Sequence, residues 1–314
     1  MKNEDEIALA AETIRRGELV AFPTETVYGL GANAYDASAV AKVFELKGRP
    51  RFDPLIVHVS EPATLHDLVE NVPPLASELV SRFWPGPLSL VLPKRDCIPD
   101  IVTAGLPNVA VRCPAHPIAR RLIAASGVPI AAPSANRFCA VSPTTAQHVA
   151  DQFGDQLTRI LDGGPCEVGL ESTVISFVDE QPVLLRPGGV TAEELQGVVG
   201  PLKVVQDLQG EKPSSPGQLP RHYAPSTPLV ITTDPPSKGE KVGLLAFGTP
   251  RNVSDYAAVE SLSEKECLHE AAANLFAAMR RLDSLQLDYI AACPVPEVGI
   301  GNAIMDRLRR AAAK

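Results

Sequence analysis

The apolar and polar positions of the first 205 residues alternate between helical and strand-like patterns. Ile7, Ala10 and Ile14 recur on one helical face within residues 4–16, and Gly17 follows where a helix would end. Short runs of apolar residues between turn-forming residues indicate buried strands. The same criteria predict further helices at 36–46, 74–83, 118–125 and 144–154, and strands at 19–22, 55–59, 88–92, 109–112, 129–132, 159–161, 173–178 and 182–186.

The order of these elements determines the expected fold class. Helices and strands are mixed, and several strands follow one another late in this region, the last two as an expected hairpin. Residues 191–194 have the spacing of a capping box and predict the start of a short helix. We therefore predict an α/β fold built on an open sheet with antiparallel sections rather than a purely parallel sheet.

A second, smaller pattern follows a change in composition. Four prolines and two glycines lie within 210–225, which argues against a helix or a central strand there. Such a segment is either a plain linker or an ordered, functional connection. Beyond it, a strand, a long amphipathic helix, a strand and a last helix predict a parallel crossover unit. The expected organisation is a first domain at 1–205, an ordered Pro-rich linker or lid at 206–228, and a Rossmann-like domain at 229–314.

Length and charge restrict the function classes. A chain of 314 residues favours two domains, and its net charge is −8. The first 225 residues carry 19 basic and 26 acidic residues, which argues against a cationic surface that binds nucleic acid strongly. No apolar stretch reaches the ~20 residues that span a bilayer, the N-terminus is acidic, and the six cysteines show no metal-finger spacing. We expect a cytoplasmic protein without a membrane segment.

Three cations within five residues, Lys47, Arg49 and Arg51, form the main candidate for phosphate chemistry. Charges at the end of a helix are commonly solvated and complement the helix dipole. Arginine forks and a lysine point charge also suit phosphate oxygens, and Gly48 and Pro50 favour an ordered loop. From the residues alone, the two interpretations are about equally supported.

Other polar segments follow predicted strands and have both a structural and a functional interpretation. The hydroxyls of Thr24 and Thr26 either cap a turn or line a small-substrate pocket. Ser134 and Asn136 suit a side-chain turn at the end of a strand. Arg112 ends an apolar strand, so its guanidinium faces either a cleft or an internal acid, and a substrate carboxylate would also fit it.

Together these segments resemble one family, the threonylcarbamoyl-AMP synthases with a YrdC domain, in the longer two-domain form. Each motif alone is weak, but seven occur in order between residues 24 and 225, and with the C-terminal extension the resemblance covers nearly the whole chain. They are Thr24-Glu-Thr-Val-Tyr-Gly-Leu-Gly31, Lys47-Gly-Arg-Pro50, Pro54-Leu-Ile-Val-His58, Ser134-Ala-Asn136, Gly169-Leu-Glu-Ser-Thr173, Leu185-Arg-Pro-Gly188 and Pro216-Gly followed by Arg221-His-Tyr-Ala-Pro225.

The resemblance implies a fold and a reaction. The fold would be a YrdC-like open twisted mixed sheet with flanking helices, followed by a small Rossmann-like α/β domain. The enzyme would condense L-threonine, bicarbonate or CO2, and ATP to threonylcarbamoyl-AMP and pyrophosphate, with Mg2+ bound to ATP. The product would serve N6-threonylcarbamoyladenosine formation at position 37 of tRNAs that read ANN codons, a step performed by a separate transferase complex.

The resemblance also implies roles for single residues. Lys47 and Arg49 would contact the phosphates and act in catalysis, without a protein nucleophile or a metal held by the protein. A lid formed by Arg221, His222 and Tyr223 would close over the nucleotide. The nucleotide side would comprise Lys47, Arg49, Asp53, Asn108, Ser134, Asn136, Ser142, Arg186 and His222, and the threonine side Thr26, His58, Arg112, Ala132 and Ser172.

Two positions depart from the family pattern. Asp53 stands where Asn is frequent, and its carboxylate would repel phosphates unless it turns away or binds metal. Asn108 stands where a hydroxyl residue is common. Three other functions are weighed against the synthase: an RNA-binding protein, a carbamoyl-transferring maturation factor with a YrdC-like domain, and a nucleotide sensor without catalysis. The maturation factor would also need an acylphosphatase-like module and zinc fingers, which this sequence lacks.

Overall fold

The computed structural model describes residues 2–179, 181–205, 217, 222–250 and 253–313. Two separate sheets organise these residues, one of nine strands and one of four. Mixed strand directions in the first sheet confirm the predicted α/β class with antiparallel sections. The second sheet is entirely parallel, as the crossover pattern predicts.

Residues 2–205 form the nine-stranded sheet and its helices, here called the N-terminal unit. Its helices are α1 (Lys2–Arg15), α2 (Ala37–Lys47), α3 (Leu65–Leu68), α4 (Pro74–Phe83), α5 (Asp100–Thr103), α6 (Pro117–Ser126), α7 (Ala146–Phe153) and α8 (Ala192–Val199). Its strands are β1 (Val20–Phe22), β2 (Gly29–Asn33), β3 (Ile56–His58), β4 (Leu88–Pro93), β5 (Asn108–Arg112), β6 (Ile130–Ala131), β7 (Thr173–Ser176), β8 (Val183–Arg186) and β9 (Lys203–Val204).

The strand order of this sheet is β1-β2-β6-β3-β5-β4-β7-β8-β9. Parallel pairs join β3 to β5, β4 to β7 and β8 to β9, and the other neighbours are antiparallel. Strands β3 and β5 run side by side with His58 opposite Arg112. Two polar residues that end separate strands therefore lie next to each other.

Local sequence signals account for several helix boundaries. The Asp36 carboxylate accepts hydrogen bonds from two amides of the first turn of α2, and Gly48 ends that helix in the left-handed region. Thr145 caps α7, and the predicted capping box of Thr191 and Glu194 begins α8. These boundaries are confirmed.

Three features of the first sheet differ from the prediction, one of which is the short edge strand β9, absent from the predicted elements. The predicted strand at 159–161 forms only one parallel bridge, between Ile160 and Ala21. The sequence pattern also missed β2, because its glycines look like loop residues. A Cβ at Gly31 would lie 2.7 Å from an Ile130 methyl and 2.8 Å from the Phe22 ring, so the packed strand requires glycine there.

Residues 229–313 form the second sheet and its helices, here called the C-terminal unit. Its elements are β10 (Leu229–Ile231), β11 (Val242–Ala246), β12 (Ala258–Ser261), α9 (Leu268–Asp283), β13 (Tyr289–Ala292) and α10 (Gly301–Ala312). The strand order is β10-β13-β11-β12, so β11 and β13 form the predicted parallel pair and α9 precedes β13.

One apolar cluster joins the two units. Val27, Val141 and Leu170 of the N-terminal unit pack with Phe276 of α9 and other residues of the C-terminal unit. The backbone of α9 comes so close that a Cβ at Gly169 would lie 2.5 Å from the Ala272 carbonyl oxygen. Close packing therefore fixes the C-terminal unit directly behind the Gly169–Thr173 motif.

Within the described ranges, the helices are all too short or too polar to cross a lipid bilayer.

Candidate functional site

A polar cavity lies at the ends of β3, β5, β7 and β8 and faces the C-terminal unit. Its volume is about 50 Å3. It is lined by Thr24, Thr26, Val27, Gly29, Arg49, Ile56, His58, Arg112, Ala132, Pro133, Ser134, Glu171, Ser172, Arg186, Gly217, His222 and Tyr223.

Arg112 at the end of β5 organises one end of the cavity. Its Nη1 donates to the Thr26 hydroxyl at 2.8 Å, and its Nη2 lies 2.7 Å from a carboxylate oxygen of Glu25. Both Arg112 and Glu25 are buried. The two interpretations of Arg112 therefore hold together, because its guanidinium pairs with an internal acid and also borders the cavity.

The turn that follows β1 places the two threonine hydroxyls. The hydroxyls of Thr24 and Thr26 lie 2.7 Å apart, and the Thr24 hydroxyl donates to the Val27 carbonyl at 2.6 Å. The same Thr24 oxygen accepts from the amides of Thr26 and Val27. The predicted turn cap is confirmed for Thr24, and it fixes the Thr26 hydroxyl at the cavity surface.

His58 ends β3 beside Arg112. Burial and the positive charge of Arg112 lower the pKa of His58 to about 3, so its imidazole is neutral near pH 7. Its Nδ1 has no hydrogen-bond partner among the described residues. A neutral ring with a buried, unpaired nitrogen at a cavity suits a hydrogen bond to a ligand.

The basic loop folds inward at its first two cations. Lys47 and Arg49 are buried, and Arg51 is exposed. The solvated-loop alternative is therefore wrong for Lys47 and Arg49. The Lys47 ammonium donates to the backbone carbonyls of Ser134 and Asn136, the first at 2.6 Å. Burial and the neighbouring Arg49 hold the pKa of Lys47 well below its ordinary value.

Arg49 is held in the cavity surface by contacts from its own loop. Its Nε donates to the Asp53 carbonyl at 3.1 Å and its Nη2 to the Pro54 carbonyl at 2.9 Å. The Asp53 carboxylate lies 2.9 Å from Nη2 and is fully buried. Burial raises the pKa of Asp53, and the charges of Arg49 and Lys47 oppose that rise. Asp53 is therefore a counter-ion of Arg49, behind the cavity surface.

A tight loop after β6 carries Ser134 and Asn136. The Asn136 amide donates to the carbonyls of Arg137 at 2.7 Å and Ala140 at 2.8 Å, which closes the loop. Its Oδ1 is buried without a hydrogen-bond partner among the described residues. The predicted side-chain turn is wrong for Asn136, because Oδ1 accepts no backbone hydrogen bond from these residues and the side chain closes the loop as a donor instead. This leaves one amide oxygen available to a ligand.

Arg186 and Ser172 connect β8 to the Gly169–Thr173 motif. Arg186 donates twice to the Ser172 carbonyl, through Nε at 3.1 Å and Nη2 at 2.9 Å, and Nη2 also reaches the Ser172 hydroxyl at 3.2 Å. That hydroxyl lies 2.8 Å from the hydroxyl of Ser89 on β4. Burial lowers the pKa of Arg186.

His222 and Tyr223 enter the cavity from the segment that joins the two units. Their ring centroids are 4.0 Å apart, and the Tyr223 ring stacks on Phe276 of α9 at 5.6 Å. Both side chains are buried. Arg221, the third residue of the predicted lid, lies outside the described residues.

The cavity brings together most of the predicted site residues. Nine line it directly: Thr26, Arg49, His58, Arg112, Ala132, Ser134, Ser172, Arg186 and His222. Lys47, Asp53, Asn136 and Ser142 lie immediately behind the lining residues and contact them or their loops. Asn108 lies elsewhere, opposite Pro93 at the start of β5 and about 13 Å along the strand from Arg112 at ~3.3 Å per residue.

Two buried carboxylates of this region are not among the predicted site residues. Glu25 pairs with Arg112, and Glu171 lines the cavity between the Ser142 hydroxyl and Arg307 of α10. Both belong to motifs that carry the family resemblance. The signal that could have found them is an acidic residue amid small and hydroxyl residues next to a strand.

A two-domain α/β protein with a buried, arginine-lined cavity is the class that this fold and site define. Residues 12–188 match the Sua5/YciO/YrdC family, described as "Telomere recombination", and residues 190–313 match the C-terminal domain of threonylcarbamoyl-AMP synthase. The chain belongs to the threonylcarbamoyl-AMP synthase family, in its two-domain form.

Individual relatives cover nearly the whole chain. The threonylcarbamoyl-AMP synthase of Bacillus subtilis is 47% identical over 99% of this chain and 94% of its own length. That of Pyrococcus abyssi is 45% identical over 98% of this chain and 94% of its own length. A crystal structure of P. abyssi Sua5 with L-threonine superimposes with a TM-score of 0.91 at 45% identity, over 98% of this chain and 94% of that one.

Proposed function

We propose that this chain condenses L-threonine, bicarbonate or CO2, and ATP to L-threonylcarbamoyl-AMP and pyrophosphate. One observation carries the proposal: a single cavity is lined by three buried arginines from separate strands and loops. Burial lowers the pKa of His222, and Arg49 and Arg186 both lie close enough to lower it further. Arg112, in contrast, donates to Thr26 and lies opposite His58 in the sheet. Two anionic reactants can thus be held facing each other.

The chemistry of the reaction matches this charge distribution. The amine of threonine attacks CO2 and loses a proton, which gives a carbamate. A carbamate oxygen then attacks the α-phosphorus of ATP, and the bond to the β-phosphate oxygen breaks to release pyrophosphate. Both reactants are anions, so the main tasks of the protein are to neutralise charge and to align them.

The described residues divide between these tasks. Arg49, Arg186 and the ammonium of Lys47 would neutralise the triphosphate, and the Asn136 amide oxygen would orient the nucleotide. The Arg112 guanidinium would hold the threonine carboxylate, although it shares its charge with Glu25. Thr26, His58 and Ser172 would form hydrogen bonds with the amino acid, as donors or as acceptors.

We treat Mg2+ as part of the ATP substrate. The two acidic side chains nearest the phosphate-side cations, Asp53 and Glu171, each pair with an arginine. Among the described residues no group of three or more His, Cys, Asp or Glu side chains could hold a metal ion. We expect phosphate oxygens and water to supply the magnesium ligands.

The product has a reactive mixed anhydride and would be passed to a transferase that modifies position 37 of tRNA. We place both steps in the cytoplasm. This chain would need no strong grip on tRNA, in agreement with the acidic balance of its first 225 residues.

Pyrophosphate release tests the proposal directly. Release from MgATP should require L-threonine and bicarbonate together, and the acylated nucleotide should form in equal amount. ATP binding without pyrophosphate release would favour a nucleotide sensor. Pyrophosphate release at the same rate with and without threonine would refute the synthase.

A further inference from the structure

The C-terminal unit places a buried arginine behind the residues that line the cavity of the N-terminal unit. Arg307 of α10 is fully buried, and its Nε lies 2.8 Å from Glu171 Oε2. Its Nη2 donates to the Pro187 carbonyl at 3.0 Å, and its guanidinium lies over the Tyr223 ring, 5.0 Å from the centroid. Arg307 therefore contacts three segments that border the cavity.

Glu171 transmits this contact to the nucleotide side. Its other oxygen, Oε1, accepts from the Ser142 hydroxyl at 2.5 Å. Arg280 of α9 donates to the backbone carbonyls of Val141 and Ser142. The C-terminal unit thus contacts Ser142 in two ways. Arg280 binds the Ser142 backbone carbonyl directly, and Arg307 binds Glu171, which accepts from the Ser142 hydroxyl.

Charge explains why Glu171 needs a partner. Its carboxylate lines a cavity that would receive a triphosphate, and an unpaired anion there would oppose binding. The charged and titratable groups facing Glu171 are Arg307 from α10, Arg186 from β8 and Tyr223 from the joining segment. Only Arg307 makes an ion pair with it among the described residues.

Asp306 also pairs with Arg307, but unlike Glu171 it has a second cationic partner within the described part of the chain. It contacts Arg307 Nη1 at 2.6 Å, but its other oxygen pairs with Arg310 at 3.0 Å. Removal of the Arg307 charge would leave Asp306 with one ion-pair partner, Arg310, and would leave Glu171 with none among the described residues. The consequence would therefore fall on the carboxylate that faces the cavity.

We propose that Arg307 is a positioning residue for the condensation: it neutralises and orients Glu171, and so makes the C-terminal unit part of the nucleotide site. This inference rests on the proposed function. It gives α10 a role in substrate binding although Arg307 itself need not touch substrate.

A charge-balanced pair of variants tests the proposal with the full-length chain. Arg307→Met should raise the KM for ATP by roughly 10- to 100-fold, because removing one partner of a buried ion pair leaves the other charge uncompensated, with a smaller change in kcat. Adding Glu171→Gln should recover most of the loss, because the amide can still accept from Ser142 and carries no charge. Arg309→Met is the matched control, since this arginine of the same helix forms an exposed ion pair with Glu297.

The outcomes separate the two proposals. Absence of threonine-dependent pyrophosphate release from the wild type would refute the proposed function. Wild-type release with an unchanged KM in Arg307→Met would overturn the positioning role alone, as would a double variant no better than the single one. If Arg307→Met does not fold, a folded and active double variant supports the role, and an unfolded double variant overturns it.

Discussion

Arg49 and Asp53 form an ion pair of 2.9 Å in which both side chains are almost completely enclosed. This ion pair explains how Asp53 can lie next to a proposed phosphate-binding loop without repelling phosphate. The Asp53 carboxylate turns toward its own loop and fixes the guanidinium that lines the cavity. It thus has a structural partner that does not depend on a bound metal.

Loss of the Asp53 charge should cost stability because Arg49 would remain buried without a counter-ion. We expect Asp53→Ala to lower the free energy of unfolding by about 3–5 kcal/mol, measured by urea denaturation. Asp53→Asn should cost less, because a polar side chain of nearly the same size still places an oxygen dipole beside Arg49. Asp100→Ala is the control: this aspartate pairs with Lys94 but its side chain is 81% exposed, so the expected cost is at most about 1 kcal/mol. Equal losses in Asp53→Ala and Asp100→Ala would contradict a buried counter-ion role.

Lys47 should be needed for the chemical step. We expect Lys47→Met to lower kcat/KM for ATP by about 100-fold or more, in the range seen when a donor to developing charge is lost. Lys47→Arg should rescue little, because the planar guanidinium does not fit the site between two carbonyls. The measurement is initial-rate pyrophosphate release. Lys42→Met, on the same helix and paired with Glu18 at the surface, should keep the wild-type rate. A Lys47→Met rate within twofold of wild type would remove this residue from the phosphate site.

His58 should make stability depend on pH. Its pKa is about 3 in the folded chain and near the ordinary 6.5 when unfolded, so between these values the unfolded chain binds a proton that the folded chain does not. Stability should therefore fall as the pH falls from about 6.5 toward 3. Urea denaturation between pH 4 and 7.5 should give a shallower slope for His58→Gln than for wild type. His269→Gln, on an exposed position of α9, should keep the wild-type slope. Parallel slopes for all three proteins would disprove this assignment.

Gly217 should tolerate no side chain. Its φ is +82°, and a Cβ would lie 2.6 Å from the Tyr223 hydroxyl and 3.0 Å from Arg186 Nη1. We expect Gly217→Ala to cost at least about 1–2 kcal/mol from the backbone conformation alone, seen as a lower melting temperature. Adding Tyr223→Phe should restore part of the loss, because it removes the closest contact.

A glycine in open space provides the control for this substitution. A Cβ added at Gly197 of α8 would meet no other atom of the described residues within 4 Å, so Gly197→Ala should leave stability unchanged or raise it by up to about 1 kcal/mol. Equal changes in stability for Gly217→Ala and Gly197→Ala would show that neither the backbone conformation of Gly217 nor the atoms around it disfavour a side chain there.

The elements whose signals are local could be predicted from the sequence. Asp36, Thr145 and Thr191 cap the helices they were expected to cap, since a cap depends on residues two or three positions away. Strand β2 could not be predicted, because the need for Gly31 arises from Phe22 and from Ile130, about a hundred residues away.

The site shows the same division. The resemblance indicated Arg49, His58 and Arg112, and the structure brings all three to one cavity. The ion-pair partners of the two arginines were not evident, because Glu25 and Asp53 carry no pattern that distinguishes a counter-ion from a ligand. The position of Asn108 was likewise hidden, since its distance from the cavity depends on the direction of β5.

The apolar cluster that spans both units has a consequence for how the chain denatures. Its members from the two units lose their burial together, so we expect a single cooperative transition rather than separate melting of two lobes. A chain truncated after Val205 would expose Val27, Val141 and Leu170 as an apolar surface patch. We expect such a fragment to self-associate through this patch. Loss of activity in such a fragment could result from aggregation as well as from the loss of catalytic contacts. Single substitutions in the intact chain keep the apolar cluster buried, so their effect on activity is separate from aggregation.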